Sequence, residues 1–296
     1  MKILILNLEK AQAKNNSEYL RIRYVDENKL EKAAVMFAPF PDMAAIKGKV
    51  CEVAIRAGNP TDKIETLEVT ADDPAPFIRA TKQNVEQMLA ELKEATTTLS
   101  NPDLVALVNE IVWNNQAWLD RFKQWPAATA AHHAFVGGLL EHTWGMFKIA
   151  QAVGTTDPSQ AGVNMSVVYA AVLLHDFGKI ITYQFAPGSG AESNSLQYLL
   201  GHICVADEMI VRACYKLQLK TIKGDILNLR HCILSHHGKK EWGSPIIPST
   251  REAVLVHQID MMQSRGEMAL EGTEGLELGK AATVQHRQLE TTLVRL

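Results

Sequence analysis

The chain has 296 residues, 47% of them hydrophobic and 21% charged, with a formal net charge of −3, an ordinary globular composition that can bury a substantial core without staples. Its four cysteines, Cys51, Cys204, Cys214 and Cys232, form no CxxC pair, which excludes a disulfide scaffold and a Cys-rich zinc site and points to a reducing compartment. The opening MKILILNLEK is too short an apolar run for a secretory signal, and no run approaches the roughly 20 residues that cross a bilayer, so a cytoplasmic protein with no membrane partner is expected.

Residues 1–75 read as strands. KILILNL, EYLRIRYV, KAAVMF, KVCEVAIR and ETLEVT are apolar or alternating runs, separated by the polar turns KNNS, DENK and GNPTD. Five strands in about 75 residues predict a small antiparallel barrel of the OB type, although a small sandwich would carry the same pattern. Tyr19, Tyr24 and Phe37 are candidates for stacking the bases of a single strand, or for filling the barrel. DDPAP at 72–76 reads as a linker, after which the period becomes helical.

Helices are expected at 84–94 and 104–123, the second opened by Asn101-Pro102, so that 76–125 forms a connecting helical segment. Further helices are expected at 133–153, 166–177, 195–219, 225–236 and 250–264, the last with a Ser249/Glu252 capping box. APGSGAES at 186–193 reads as a flexible loop, and 266–296 as a peripheral helix or loose tail. Between 212 and 240 lie seven basic residues (Arg212, Lys216, Lys220, Lys223, Arg230, Lys239, Lys240) and one acid, Asp225, a local +6 that leaves −9 elsewhere. That segment is either a solvated helix face or a landing surface for a polyanion.

Five of these helices carry a residue of metal-ligand type in an apolar setting: His142; His175 with Asp176; His202; His236 with His237; and Asp260. A lone histidine on an apolar face is usually a hydrogen-bonded core residue; five such positions together are much harder to explain that way. Ile226, Leu229, Ile233 and His236 share one helical face, whereas His231 points away from it toward solvent. His257, one turn before Asp260, is placed to orient a ligand or to be a core histidine. Imidazole and carboxylate together suit divalent first-row metals such as manganese, iron, zinc or nickel. Asp176 has two oxygens and can bridge two ions, and Lys179, one turn past His175, is placed to neutralise a phosphoryl oxygen or to cap a helix dipole.

The stretches PAATAAHHAFVGGLLEHT (126–143), LLHDFGKI (173–180), LLGHI (199–203), LRHCILSHHGKKEWGSP (229–245) and VLVHQID (254–260) carry a family resemblance. The order H…HD…H…H…D resembles the HD-domain metal-dependent phosphohydrolases, and within them the YhaM-type 3′–5′ exoribonucleases, which join an OB-like domain to an HD domain. The resemblance implies an α+β multidomain chain: an OB-like barrel at 1–75 for nucleic acid, connecting helices at 76–125, an all-α HD domain at 126–265 and a peripheral segment at 266–296. It implies two divalent ions, manganese first, with iron, nickel, zinc or magnesium as alternatives. His142, His175, Asp176 and Asp260 match the ligands of one ion; Asp176, His202 and His236 match those of the other, and His237 is either a further ligand or a substrate contact. Asp176 and Lys179 take the catalytic roles. His132 and His133 take structural or substrate-lining ones; Lys239 and Lys240, which follow His236-His237 almost directly, are placed by their position at the mouth of the site or are solvated loop lysines. The chain departs from the family pattern at Gln263 and Gln184, where acidic residues are usual. The function implied is a 3′–5′ exonuclease on single-stranded RNA or DNA, with a homo-oligomer left open. Hydrolysis of nucleotides or cyclic nucleotides, and a binding module with a vestigial site, are the alternatives.

Overall fold

In strand β2 (Glu18–Asp26) Leu20, Ile22 and Tyr24 are buried while Arg21 and Arg23 face water, the period-2 pattern of a strand with one dry face. A similar alternation marks β3 (Glu31–Phe37) and β4 (Val50–Arg56), whereas β1 (Lys2–Gln12) buries Ile3, Leu4 and Ile5 in succession and β5 (Asp62–Val69) buries Ile64 alone among its residues. These five close into a barrel in the order β1-β2-β3-β5-β4. Four contacts are antiparallel, and β3 meets β5 in parallel, the crossover that closes an OB-type barrel. The short helix α1 (Met43–Ile46) between β3 and β4 adds Ile46 to a core of Ile3, Ile5, Leu20, Ile22, Tyr24, Met36, Val53 and Ile64. Tyr24 is therefore a filling residue. Tyr19 and Phe37 face each other across β2 and β3 on the outside, their rings 6.1 Å apart.

The computed structural model describes every residue except 14, 60, 130–132, 157–161, 187–189, 283, 284 and 287. It divides into two compact units, Met1–Ala80 with Phe185–Ala191, and Thr81–Gln184 with Glu192–Leu296. The second is helical. Helices α2 (Val85–Thr97), α3 (Pro102–Val108) and α4 (Gln116–Gln124) contribute Met88, Leu92, Leu104, Leu107 and Phe122 to one core with α5 (Gly138–Thr156) and α6 (Met165–Leu174). Next come α7 (Lys179–Thr182), the ribbon β6 (Tyr183–Ala186) and β7 (Gly190–Ser193), α8 (Ser195–Leu199), α9 (Gly201–Lys216), α10 (Gly224–Ser235), α11 (Arg251–Thr273), and a small pair β8 (Lys280–Ala281) and β9 (Val294–Arg295).

The sequence expectations need several corrections. The helix expected at 104–123 is interrupted by a π-helical segment, Asn109–Trp113, and restarts where the Asn115 side chain accepts from the Trp118 N–H. The helix expected at 195–219 breaks at Leu200, because Gly201 takes φ +74°. Within the loop expected at 186–193, Ala186 ends β6 and Gly190–Ser193 form β7, the two strands of a ribbon; residues 187–189 lie outside the described residues. Thr250, not Ser249, caps α11, and Glu252 instead accepts from the Asn164 N–H and the Asn228 amide. One stretch, Met165–Thr182, is long and apolar enough to cross a membrane after all, but 78% of it is buried inside the unit: α6 is apolar all round because it is the central core helix.

Candidate metal centre

α6 ends at His175, whose N–H still donates to the Ala171 carbonyl at 2.8 Å. The chain then turns through Asp176, Phe177 and Gly178 into α7. A Cβ on Gly178 would lie 2.1 Å from the His202 carbonyl oxygen, so only glycine lets this turn press against the start of α9. α10 runs out into His236 and His237, followed by Gly238 at φ +81°, where a Cβ would meet the His257 ring of α11 at 2.2 Å. These two close approaches bring the ends of α6 and α10 and the start of α9 to one point. α5 delivers His142 to it and α11 delivers Asp260.

Asp176 is the hub. Its Oδ2 lies 3.3 Å from His175 Nε2 and 3.6 Å from His142 Nε2; its Oδ1 lies 3.2 Å from His202 Nε2 and 3.8 Å from His236 Nε2. Asp260 Oδ1 approaches His142 Nε2 at 3.5 Å. Two groups of ligand atoms result, His142–His175–Asp176 and His202–His236–His237, each within 4.8 Å of one another. His237, whose role the sequence left open, thus stands with the second group; its ring lies 4.5 Å from that of His236 and 5.2 Å from that of His202.

The tautomers fit a cation. The Nδ1–H groups of His175, His236 and His237 donate to the carbonyls of Val172, Ile233 and Trp242 at 2.9, 2.7 and 2.7 Å. His142 Nδ1–H donates to Gln263 Oε1 at 2.5 Å. Each ring therefore turns an Nε2 lone pair inward. Two such lone pairs, on His142 and His175, are 3.2 Å apart, an arrangement that an ion between them relieves. Asp176 Oδ1, His202 Nε2 and His236 Nε2 are buried and make no hydrogen bond among the described residues. Burial and the neighbouring His175 hold His142 well below the ordinary imidazole value; burial and His237 do the same to His236. Burial also lowers His202 and His237. For His175 burial is outweighed by Asp176, which raises it. Burial raises Asp260 and works against the ionisation of Asp176, but Lys179 and His175 outweigh it there and hold that carboxyl well below the usual carboxylate range. The imidazoles of His142, His202, His236 and His237, held toward their neutral form around an ionised Asp176, are the donor types that suit a divalent cation.

The remaining residues named from sequence lie around this cluster. Lys179 is buried and its Nζ donates to Asp176 Oδ2 at 2.6 Å. His257 Nδ1–H donates to the His236 carbonyl at 2.7 Å, which fixes the end of α10. His133 is fully buried at φ +56°, with its ring 5.6 Å from that of His142; His132 lies outside the described residues. Lys239 and Lys240 are exposed in the turn after His237. The basic segment is less of a landing surface than its charge suggests, because Arg212, Lys216 and Arg230 are paired with Glu208, Glu110 and Asp207. His231 is half-buried rather than solvent-facing, and its Nε2 accepts from the Ser249 N–H at 2.8 Å. Sequence reasoning missed the part played by Gln263, which contacts both His142 and His133; its spacing of three from Asp260 on α11 was the available signal.

Comparison with known proteins supplies an independent finding. The model of the HD domain matches residues 139–264. The 3'-5' exoribonuclease YhaM of Listeria welshimeri is 34% identical over 211 residues, covering 71% of this chain. The chain spans 61% of the length of that relative. No solved structure matches.

Proposed function

The chain carries an HD domain and is a relative of a YhaM exoribonuclease, and from that premise we propose that it is a metal-dependent phosphodiesterase acting as a 3′–5′ exonuclease on single-stranded nucleic acid. The observation that carries the proposal is the division of Asp176 between two groups of histidines, Oδ2 toward His142 and His175, Oδ1 toward His202 and His236. In this reading His142, His175, Asp176 and Asp260 hold one divalent ion, and Asp176, His202, His236 and His237 a second, manganese before iron, nickel, zinc or magnesium. The ions, when bound, supply a nucleophilic water at neutral pH and a Lewis-acid contact to the phosphoryl oxygens. Lys179 sets the orientation of Asp176 and places a buried positive charge beside the reacting phosphate. Gln263 and His257 orient the histidines they touch.

The barrel is proposed to hold the strand. Tyr19 and Phe37 form an outward aromatic pair, with the Arg21 guanidinium 5.9 Å from the Tyr19 ring and the Lys63 ammonium 5.3 Å from the Phe37 ring, a mixture that suits bases and phosphates together. The four free cysteines support a reducing, cytoplasmic setting.

The test is direct. Protein stripped with a chelator and reloaded with manganese is offered end-labelled single-stranded RNA, single-stranded DNA and a panel of nucleotides and cyclic nucleotides. Chelator-sensitive shortening of a strand from its 3′ end is expected. Turnover of nucleotides alone would move the protein to the second reading, and binding without any turnover to that of a vestigial site.

A further inference from the structure

Trp242 differs from the other tryptophans. Trp113, Trp118, Trp125 and Trp144 are half-buried against the helical core, and Trp113, Trp125 and Trp144 donate their indole N–H to Thr96, Tyr183 and Glu91. Trp242 is 40% exposed, and its indole N–H has no protein acceptor among the described residues. An exposed indole is often loosely held, but here the backbone beneath it is fixed. The 3-10 turn Lys240–Trp242 lies between Gly238 and Gly243, both at positive φ. Three bonds close it: Trp242 N–H and Ser244 N–H to the Lys239 carbonyl at 3.1 and 3.2 Å, and Gly243 N–H to the Lys240 carbonyl at 2.9 Å. A fourth ties it to the metal centre, from His237 Nδ1–H to the Trp242 carbonyl at 2.7 Å.

The indole is one ring away from the ligands. Its centroid is 6.3 Å from that of His257, which in turn holds the His236 carbonyl. Over the indole sits the Lys239 ammonium, 4.4 Å from the ring centroid, on an exposed side chain that also has Glu241 Oε1 at 3.9 Å. We propose that Trp242 is a base-stacking platform for the nucleotide adjoining the cleaved phosphodiester, with Lys239 leaving the indole for a backbone phosphate as the base arrives. The proposal rests on the single-strand reading above. A base on an indole outweighs an exposed cation–π contact, so the exchange runs downhill, and the displaced ammonium finds a fully charged partner. Stacking tolerates any base, which suits an enzyme that shortens strands of arbitrary sequence.

The experiment uses the full manganese-loaded chain with strands carrying non-hydrolysable 3′-terminal linkages, so that they bind without being cut, and reads fluorescence anisotropy of labelled oligoribonucleotides. One strand is intact; the other lacks the bases of its last two 3′ nucleotides. Trp242→Leu should weaken binding of the intact strand by about 5- to 150-fold, the equivalent of about 1–3 kcal/mol at about 1.4 kcal/mol per tenfold. It should change the abasic strand by less than about twofold, whereas Trp242→Phe should retain most of the intact-strand affinity. Equal losses on both strands would make Trp242 a support of the turn and overturn the proposal, as would an unchanged affinity for the intact strand. If the wild-type chain binds neither strand, the single-strand reading itself fails; if it binds both alike, only the platform does.

Discussion

His142 Nδ1 and Gln263 Oε1 stand 2.5 Å apart across α5 and α11, and the far end of the same amide, Nε2, lies 3.4 Å from His133 Nε2. An amide can do both things at once, accepting from His142 and donating to His133, which an ionised carboxylate cannot. The bond fixes the His142 tautomer with its Nε2 lone pair toward Asp176 and Asp260. Gln263→Leu should therefore lower metal affinity by about tenfold to a hundredfold, measured by competition with a metal-binding dye. Undiminished affinity in the leucine variant would show that packing alone orients His142.

Among the described residues Asp176 is the one carboxylate within 4 Å of four imidazoles. Asp176→Asn keeps the shape but removes the charge and one anionic oxygen. Metal analysis after loading should fall from about two ions per chain to one or none, and hydrolysis should drop by orders of magnitude, while circular dichroism stays that of the parent. A variant that still loads two ions would remove Asp176 from its bridging place.

Lys239 and Lys240 follow His236 and His237, two of the proposed metal-holding residues, almost directly, and both are exposed. Changing both to glutamine should weaken binding to long single strands and flatten its salt dependence, by roughly 0.7 in the log–log slope for each phosphate no longer neutralised. Turnover of a small phosphodiester serves as the comparison. An equal loss on both substrates would mean that the lysines shape the centre itself, and an unaltered salt slope would leave them as solvated loop residues.

Asp26 is a buried carboxylate at the end of β2, far from the metal chemistry in sequence. Burial disfavours its charge, but Lys32 and the N–H groups of Leu30 and Asn28 outweigh burial and lower its titration below the usual carboxylate value. A carboxyl whose folded-state value is depressed stabilises the fold above its unfolded value of about 4, and that contribution disappears as the pH falls through the folded value. Asp26→Asn should destabilise the barrel by about 1.5–3 kcal/mol at pH 7 and by much less at acid pH. Amide exchange of barrel peptides checks this, since none of the five tryptophans lies in the barrel. Equal protection of variant and parent at both pH values would refute it.

The period-2 runs of the first 70 residues and the apolar setting of each ligand residue were legible because burial on one face writes a local pattern. So were His142, His175 with Asp176, His202, His236 and Asp260 as a candidate set, since five separate apolar segments each bring one or two of them. Local pattern could not reveal the parallel closure of β3 on β5, because strand pairing is non-local. Nor could it reveal the break of α8 from α9, where a single glycine at positive φ overrides a continuous helical period. Only the tertiary structure decided which oxygen of Asp176 faces which histidines, and that His237 joins His202 and His236. It alone paired Gln263 with His142 and set Trp242 beside the centre. The grouping at the ends of α6 and α10 goes with two close approaches, Gly178 on the His202 carbonyl and Gly238 on the His257 ring, and the Gln263 pairing with the packing of α11 on α5; all bring together residues distant in the chain, at separations a one-dimensional pattern does not encode.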